Sequence, residues 1–238
     1  MKGRSNHLSL SFQEEVQCSY FRDGRTATLD YVVASEEEAG RFHSYLSRGY
    51  RRLGNLFYRN ACADCSACIP LRIETARFEA SKSQRRALRR NSDIRLGIPH
   101  QTMLTTRKVE LYRKYVRSKH GNREQGGENY HTVLSLIHYG YADTIEMDYY
   151  LGDKLIGVGI VDGGTDSLSS NYFYYDIDHL DRRLGVFSIL SEISLAKVTG
   201  KRYYYLGFCI EENPKMSYKR DFRPNEILVK GAWREYLT

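Results

Sequence analysis

Between residues 144 and 206 the chain orders its strand-like and helical segments in a way that few folds accept. Residues 144–151, 154–162 and 168–175 are rich in β-branched and aromatic side chains, and Gly152-Asp153 and Gly163-Gly164 separate them. Short glycine turns between such runs predict an antiparallel meander. Val186, Ile189, Leu190 and Ile193 then form one apolar face, predicting a helix over 185–199 that Gly200 stops. Tyr203–Leu206 reads as a further strand. This order predicts a mixed sheet flanked by helices in the second half.

The first half reads differently. Residues 1–34 read as two extended pieces, with strand composition over 26–33. Ser35-Glu36-Glu37-Glu38 predicts a capping box opening a helix, with Phe42, Tyr45 and Leu46 on its apolar face and an end near Gly49. Leu71-Arg72-Ile73 reads as a strand. A basic helix is expected from Ser81 or Ser83, and helical pattern stops at Gly97-Ile98-Pro99. The expected class is therefore α+β: a small N-terminal α/β domain over residues 1–97, with a cysteine cluster, and a second domain over 98–238. Helices are expected over 105–118 and 130–139, separated by a polar loop at 121–129.

The 238 residues carry a net charge of +7, with 41% hydrophobic and 27% charged residues, which suits a globular chain with an anionic partner. The twenty tyrosines suit half-buried strands and wet binding surfaces. The first seven residues are polar, and no run approaches the roughly 18 apolar residues of a membrane span. A cytoplasmic protein without a membrane partner is expected, with its five cysteines reduced unless they bind something.

Three sequence features carry chemistry. Cys62-x-x-Cys65-x-x-Cys68 clusters three thiols, with Cys18 as a distant fourth, and such spacing predicts a zinc or iron–sulfur site. Three free thiols in a packed turn is the competing reading. Arg85/Arg89 and Arg86/Arg90 stack like charges one helical turn apart, which calls for a nearby anion, either a nucleic-acid phosphate or acidic residues of the chain itself, with the net charge of +7 favouring the phosphate. In the segment 215–223, Lys215, Lys219, Arg220 and Arg223 alternate with Tyr218 and Phe222, as suits a phosphate-rich partner with stackable bases.

The run Asn171–Asp176, the loop Arg182-Arg183-Leu184-Gly185, the following helix and the strand at Tyr203 resemble the core of GNAT acyltransferases. The acetyl-CoA version of that loop ends in a small residue. Phe187 stands there in this chain and argues against CoA, leaving a GNAT-like scaffold with another acyl donor.

Taken together, Cys62-x-x-Cys65-x-x-Cys68-Ile69-Pro70-Leu71-Arg72, Phe78, Ser83-Gln84-Arg85-Arg86-x-Leu88-Arg89-Arg90-Asn91-x-Asp93, Tyr172-x-Tyr174-Tyr175-Asp176, Leu184-Gly185, Tyr205-Leu206-Gly207, Lys215-Met216-x-Tyr218-Lys219, Arg223-Pro224-x-Glu226 and Trp233 carry a resemblance. The chain resembles the aminoacyl-tRNA–protein transferases of the N-end rule, in their bacterial leucyltransferase form. The resemblance implies transfer of leucine from leucyl-tRNA to the α-amino group of proteins beginning with Asp or Glu, marking them for degradation. An arginyl-tRNA donor is the alternative. The related eukaryotic arginyltransferases bind an iron–sulfur cluster through paired cysteines, but Phe21 and Ala67 depart from that pattern.

An amine attacking an ester needs no covalent enzyme intermediate and no required cofactor. Positioning and oxyanion stabilisation should dominate. Lys215, Lys219, Tyr218 and Asp176 are the catalytic candidates. Arg72, Tyr174, Arg182, Arg183, Tyr205 and Glu226 are candidates for binding the acceptor and donor groups. Arg85, Arg86, Arg89, Arg90, Arg220 and Arg223 are the candidates for tRNA, and Cys18, Cys62, Cys65 and Cys68 for metal. A non-catalytic zinc-knuckle RNA-binding protein is the rival reading from another class.

Overall fold

A computed structural model describes residues 10–120 and 129–236. Most of the polar loop read at 121–129 therefore lies outside the described residues. The chain runs β1 (Ser11–Gln17), β2 (Thr26–Val33), α1 (Glu36–Gly40), α2 (Phe42–Ser47), β3 (Arg51–Leu53), β4 (Leu56–Asn60), β5 (Ile69–Glu74), α3 (Lys82–Arg90) and β6 (Ile94–Gly97). It continues through α4 (Thr106–His120), α5 (Tyr130–His138), β7 (Asp143–Leu151), β8 (Lys154–Gly163), β9 (Ser167–Tyr175), α6 (Leu184–Val198), β10 (Tyr203–Cys209), α7 (Pro214–Ser217), β11 (Glu226–Val229) and β12 (Ala232–Glu235).

Two sheets organise these elements. A four-stranded antiparallel sheet has the order β1-β2-β4-β3. A larger mixed sheet has the order β12-β11-β5-β10-β9-β8-β7-β6. The chain is thus α+β, a small N-terminal sheet followed by a mixed sheet with flanking helices. Two strands from before residue 97, β5 and β6, belong to the larger sheet, and β5 lies between β11 and β10.

The expected meander is present as β7-β8-β9, in antiparallel register. β9 and β10 are parallel, because α6 carries the chain back across the sheet between them. α6 is apolar around most of its circumference. Phe187, Ile189, Leu190 and Ile193 pack into the core with Ile73, Leu168 and Tyr204. A helix buried in this way fixes the β9–β10 crossover, and the site described below opens from that crossover.

Local sequence explains most of the boundaries. Ser81 caps α3 with both arms of a capping box, bonding the backbone N–H of Gln84 while the Gln84 side chain returns to Ser81 N–H. Ser35 caps α1 through Glu38 N–H, but the expected second arm does not form. The Glu38 carboxylate instead accepts from the Tyr45 hydroxyl, and the expected single helix breaks at Arg41 into α1 and α2. Buried Tyr45 donates from the helix's own apolar face, and a charge-assisted bond there outweighs a cap exposed to water.

Candidate active site

The parallel pairing of β9 and β10 lasts for three residues only, ending at Ser169 opposite Tyr205. Each strand shifts register against its other neighbour just beyond that point, β9 between Ser170 and Tyr172 and β10 between Tyr205 and Gly207. The two strands therefore splay, and carbonyl groups that would have paired across them face a gap. Two cations fill it. Arg51 Nη2, from β3 of the small sheet, donates to Ser170 O at 2.8 Å and Asn171 O at 2.7 Å. Lys219 Nζ donates to Leu206 O at 2.9 Å and Phe208 O at 3.1 Å. Satisfying these carbonyls lets the sheet open without orphaned acceptors.

Gly207 makes room for this arrangement. Its φ is +78°, and a β-carbon there would lie 1.5 Å from Arg51 Nη1. Only glycine tolerates both the left-handed backbone and the close approach. Below the gap, Glu192 of α6 is fully buried and accepts from the Tyr204 hydroxyl at 2.6 Å, while its Oε1 has no hydrogen-bond partner among the described residues. Burial pushes its carboxyl up to about 7, against the opposing pull of Tyr204 and Lys219. Burial likewise brings the Lys219 ammonium down to about 7, and repulsion from Arg51 adds to it. Tyr218 lies half-buried against the core, its hydroxyl raised to about 12 by burial and by Glu192.

Of the catalytic candidates, the structure brings Lys219 and Tyr218 to the splay. Lys215 is exposed, and its Nζ bonds Lys119 O at the end of α4. Asp176 is buried, with Lys114 Nζ at 2.6 Å and Lys154 Nζ at 2.7 Å, and it caps Asp178 N–H. Burial opposes ionisation of its carboxyl, but the two lysines hold it well below the usual carboxylate range.

Among the binding candidates, Arg72 and Glu226 pair with each other at 2.6 Å across β5 and β11. The Arg72 guanidinium lies between the Tyr203 ring, 3.9 Å away, and the Trp233 ring, 4.3 Å away, within reach of the Tyr205 hydroxyl at 3.4 Å. Tyr205 faces the small sheet's core, whereas Tyr204 faces α6, as strand alternation requires. Tyr174 is wholly buried and meets His138 Nε2 at 3.1 Å, so it belongs to the core and not to a surface.

Arg182 forks onto Asp93 at 2.8 and 3.0 Å, and Arg183, with φ +56°, donates to Ser83 Oγ. These bonds, with Arg90 donating to Asp181 O and Asn91 to Arg182 O, stitch α3 to the loop before α6. Arg85 bonds Ala80 O, whereas Arg86 and Arg89 are exposed. Arg220 and Arg223 are exposed beside the splay loop, and Arg223 Nε reaches Arg220 O at 3.4 Å. Phe187, read from sequence as an obstacle in the loop, points instead into the core, 5.9 Å from the Tyr149 ring.

Cys18, Cys62, Cys65 and Cys68 line one cavity of about 470 Å³ with Tyr20, Arg25 and Tyr58. The Cys68 thiol is raised to about 12, chiefly by burial and then by the neighbouring thiols. The thiols surround the cavity without converging. Among the described residues no group of three or more His, Cys, Asp or Glu side chains is placed to hold a metal ion, so the expected centre does not fit the arrangement. Arg51, Arg52 and Glu192 escaped sequence reading. Arg51-Arg52 looks like an ordinary basic pair, and Glu192 lies among apolar helix positions. The one available signal was Gly207, a glycine inside a strand pattern.

A splayed parallel pair lined by cations, with a buried acid beneath, is the candidate site of this α+β fold. Family models described as the N and C termini of arginine-tRNA-protein transferase match residues 16–86 and 107–229, and the chain belongs to that family of aminoacyltransferases. Within it, the chain groups with the bacterial leucyltransferases. It is 34% identical over 227 residues to the aspartate/glutamate leucyltransferase of Aeromonas hydrophila, covering 95% of this chain and 94% of that one. The protein of the same name from Pseudoalteromonas atlantica is 32% identical over 228 residues, covering 95% and 97%. Among solved structures, L-PGS from Bacillus licheniformis superposes with a TM-score of 0.45 at 10% identity, covering 76% of this chain and 54% of that one. No helix among the described residues is long and apolar enough to cross a membrane.

Proposed function

We propose that this chain transfers leucine from leucyl-tRNA to the α-amino group of cytoplasmic proteins that begin with Asp or Glu, marking them for N-end rule degradation. The similarity to aspartate/glutamate leucyltransferases across 95% of the chain carries this reading. The bond broken is the ester between the leucyl carbonyl and the tRNA 3′ end. The bond formed is an amide to the acceptor amine, and the terminal ribose hydroxyl leaves with a proton.

An α-amine has a pKa of roughly 7.7–8.0, so a useful fraction is neutral near pH 7 and needs little help from a base. The work left is alignment and stabilisation of the tetrahedral oxyanion. The splay between β9 and β10 is the place for it. There Tyr218 is the candidate donor, Lys219 lies alongside, and Glu192 supplies a carboxyl able to exchange a proton near neutrality. Exposed Arg86 and Arg89 of α3, with Arg220 and Arg223, face outward for the tRNA backbone.

Incubating the protein with labelled leucyl-tRNA, arginyl-tRNA or acetyl-CoA, each with a peptide starting in Asp, tests the reading. Label should pass to the peptide from leucyl-tRNA. Transfer only from arginyl-tRNA would reassign the donor, transfer only from acetyl-CoA would reassign the chemistry, and tRNA binding without any transfer would favour the RNA-binding alternative.

A further inference from the structure

The cations in the splay hold more donors than the sheet uses. Arg51 Nη2 serves two carbonyls, which leaves Nη1 and Nε without an acceptor among the described residues. Lys219 Nζ serves two carbonyls and keeps a third N–H. Neither forms an ion pair among the described residues, in a chain where Arg52, Arg59, Arg72 and Arg182 all do. Both side chains are half-buried, so they are partly dehydrated yet reachable.

Capping four neutral carbonyls does not require two charges. The pair is also mutually repulsive, and Arg51 depresses the Lys219 ammonium beyond the effect of burial. Glu192 lies nearby, but its carboxyl is bonded to Tyr204 and is not in ion-pair contact with either cation. Two adjacent, partly dehydrated cations with spare donors and no counter-ion among the described residues make a seat for one carboxylate.

We propose that Arg51 and Lys219 form the seat for the acceptor's acidic side chain, with Arg51 the residue that sets the preference for N-terminal Asp and Glu. This rests on the leucyltransferase reading given above. In Asp and Glu the side-chain carboxylate lies only a few bonds from the α-amine, so anchoring it at the splay also holds the amine there. The glycine at 207 lets Arg51 Nη1 lie where a β-carbon would otherwise be, so the guanidinium can enter the splay, with Nε farther from that backbone. Arg51 comes from the small sheet, close to Tyr20, whose carbonyl accepts from Asn213 Nδ2 at 3.1 Å. The cysteine-lined cavity, walled partly by Tyr20, lies on the same small sheet as Arg51 and would give the rest of the acceptor chain a place to lie.

The test compares leucine transfer to peptides that differ only in an N-terminal Asp or Asn, and Glu or Gln, using wild type, Arg51→Met and Arg51→Lys. Each Asp/Asn and Glu/Gln ratio of kcat/KM is taken on a single preparation, so the fraction of folded enzyme cancels. Arg51→Met is expected to lower both ratios at least tenfold, mainly through KM for the acidic peptide. Arg51→Lys should do the same, since an ammonium cannot reproduce the fork. A smaller change in the ratios, or equal loss on acidic and amide peptides, makes Arg51 a strut of the sheet and overturns the proposal. Should Arg51→Met fail to fold, Arg51→Lys decides on the same threshold. A tenfold rise in KM for leucyl-tRNA with unmoved ratios would give the seat to a tRNA phosphate and also overturn it. If wild type passes no leucine to any of the peptides, the leucyltransferase reading itself has failed, which is a separate result.

Discussion

At Gly207 two constraints coincide, a left-handed backbone and a guanidinium where a side chain would begin. Gly207→Ala should therefore cost more than the roughly 1 kcal/mol that a left-handed alanine usually costs. Arg51 must also move, leaving the carbonyls of Ser170 and Asn171 unpaired at about 1–3 kcal/mol. A loss of about 2 kcal/mol or more in urea unfolding is expected, and it should shrink by about 1 kcal/mol or more when Arg51 is already alanine. Additive effects would show that the clash is not the cause. Glu192 gives a second test. Its folded pKa of about 7 lies above the ordinary carboxyl value of 4.5, so the fold favours the protonated form. Its contribution to stability is full below pH 4.5 and disappears as pH rises through 7, a change on the order of 3 kcal/mol. Glu192→Gln cannot ionise and still accepts from Tyr204. Relative to wild type it should gain stability progressively between pH 4.5 and 7, as read by urea midpoints across that window. Parallel curves would mean that Glu192 is ionised in the fold throughout.

β3 is three residues long, yet it ties the small sheet to the large one through both of its arginines. Strand alternation sends Arg51 and Arg52 in different directions. Arg51 reaches the splay, while Arg52 is fully buried, with Nε on Asp162 at 2.8 Å and its terminal nitrogens on the carbonyls of Leu136, Ile137 and Tyr139. Asp162 completes the anchor with Asn171 and Thr144. Arg52→Met would strand a buried carboxylate and three carbonyls, and a loss of about 3–5 kcal/mol is expected by chemical denaturation. A loss below 1 kcal/mol would place the adhesion between the sheets elsewhere. Neither role of β3 was legible in the sequence, because short-range pattern says nothing about a contact between residues 51 and 170. What was legible was local: the meander from its glycine turns, α6 from its apolar face, and the α3 cap from Ser81 and Gln84. The β11–β12 hairpin went unread, since its strands are four residues each and carry no clear alternation. Lys219 was legible as a candidate because two lysines in a short loop suggest a purpose. The sequence could not tell it from Lys215, because one ammonium turns inward to β10 and the other outward to α4.

Across the whole molecule the 36 lysines and arginines divide into cations already committed and cations left for a partner. Arg52, Arg72 and Arg182 are spent on Asp162, Glu226 and Asp93. Arg90 is held by Asp181 O and Arg85 by Ala80 O, so of the four α3 arginines only Arg86 and Arg89 form no side-chain hydrogen bond or ion pair among the described residues. α3 is bonded through Arg90, Asn91 and Ser83 to the loop that opens α6, and α6 carries Glu192 beneath the splay. Phosphates gripped by α3 would thus be registered against the transfer site through one continuous hydrogen-bonded path. A phosphate contact releases counter-ions, so each one lost should flatten the dependence of log affinity on log salt by close to one unit. Arg86→Ala with Arg89→Ala should therefore lower the salt slope of leucyl-tRNA binding by about two and raise KM for leucyl-tRNA. KM for an Asp-peptide should stay at its wild-type value. Arg182→Ala removes a committed cation instead. It should lower the melting temperature by exposing the α3–α6 junction while leaving the salt slope nearly intact. An unchanged slope in the double variant would move the tRNA footprint off α3.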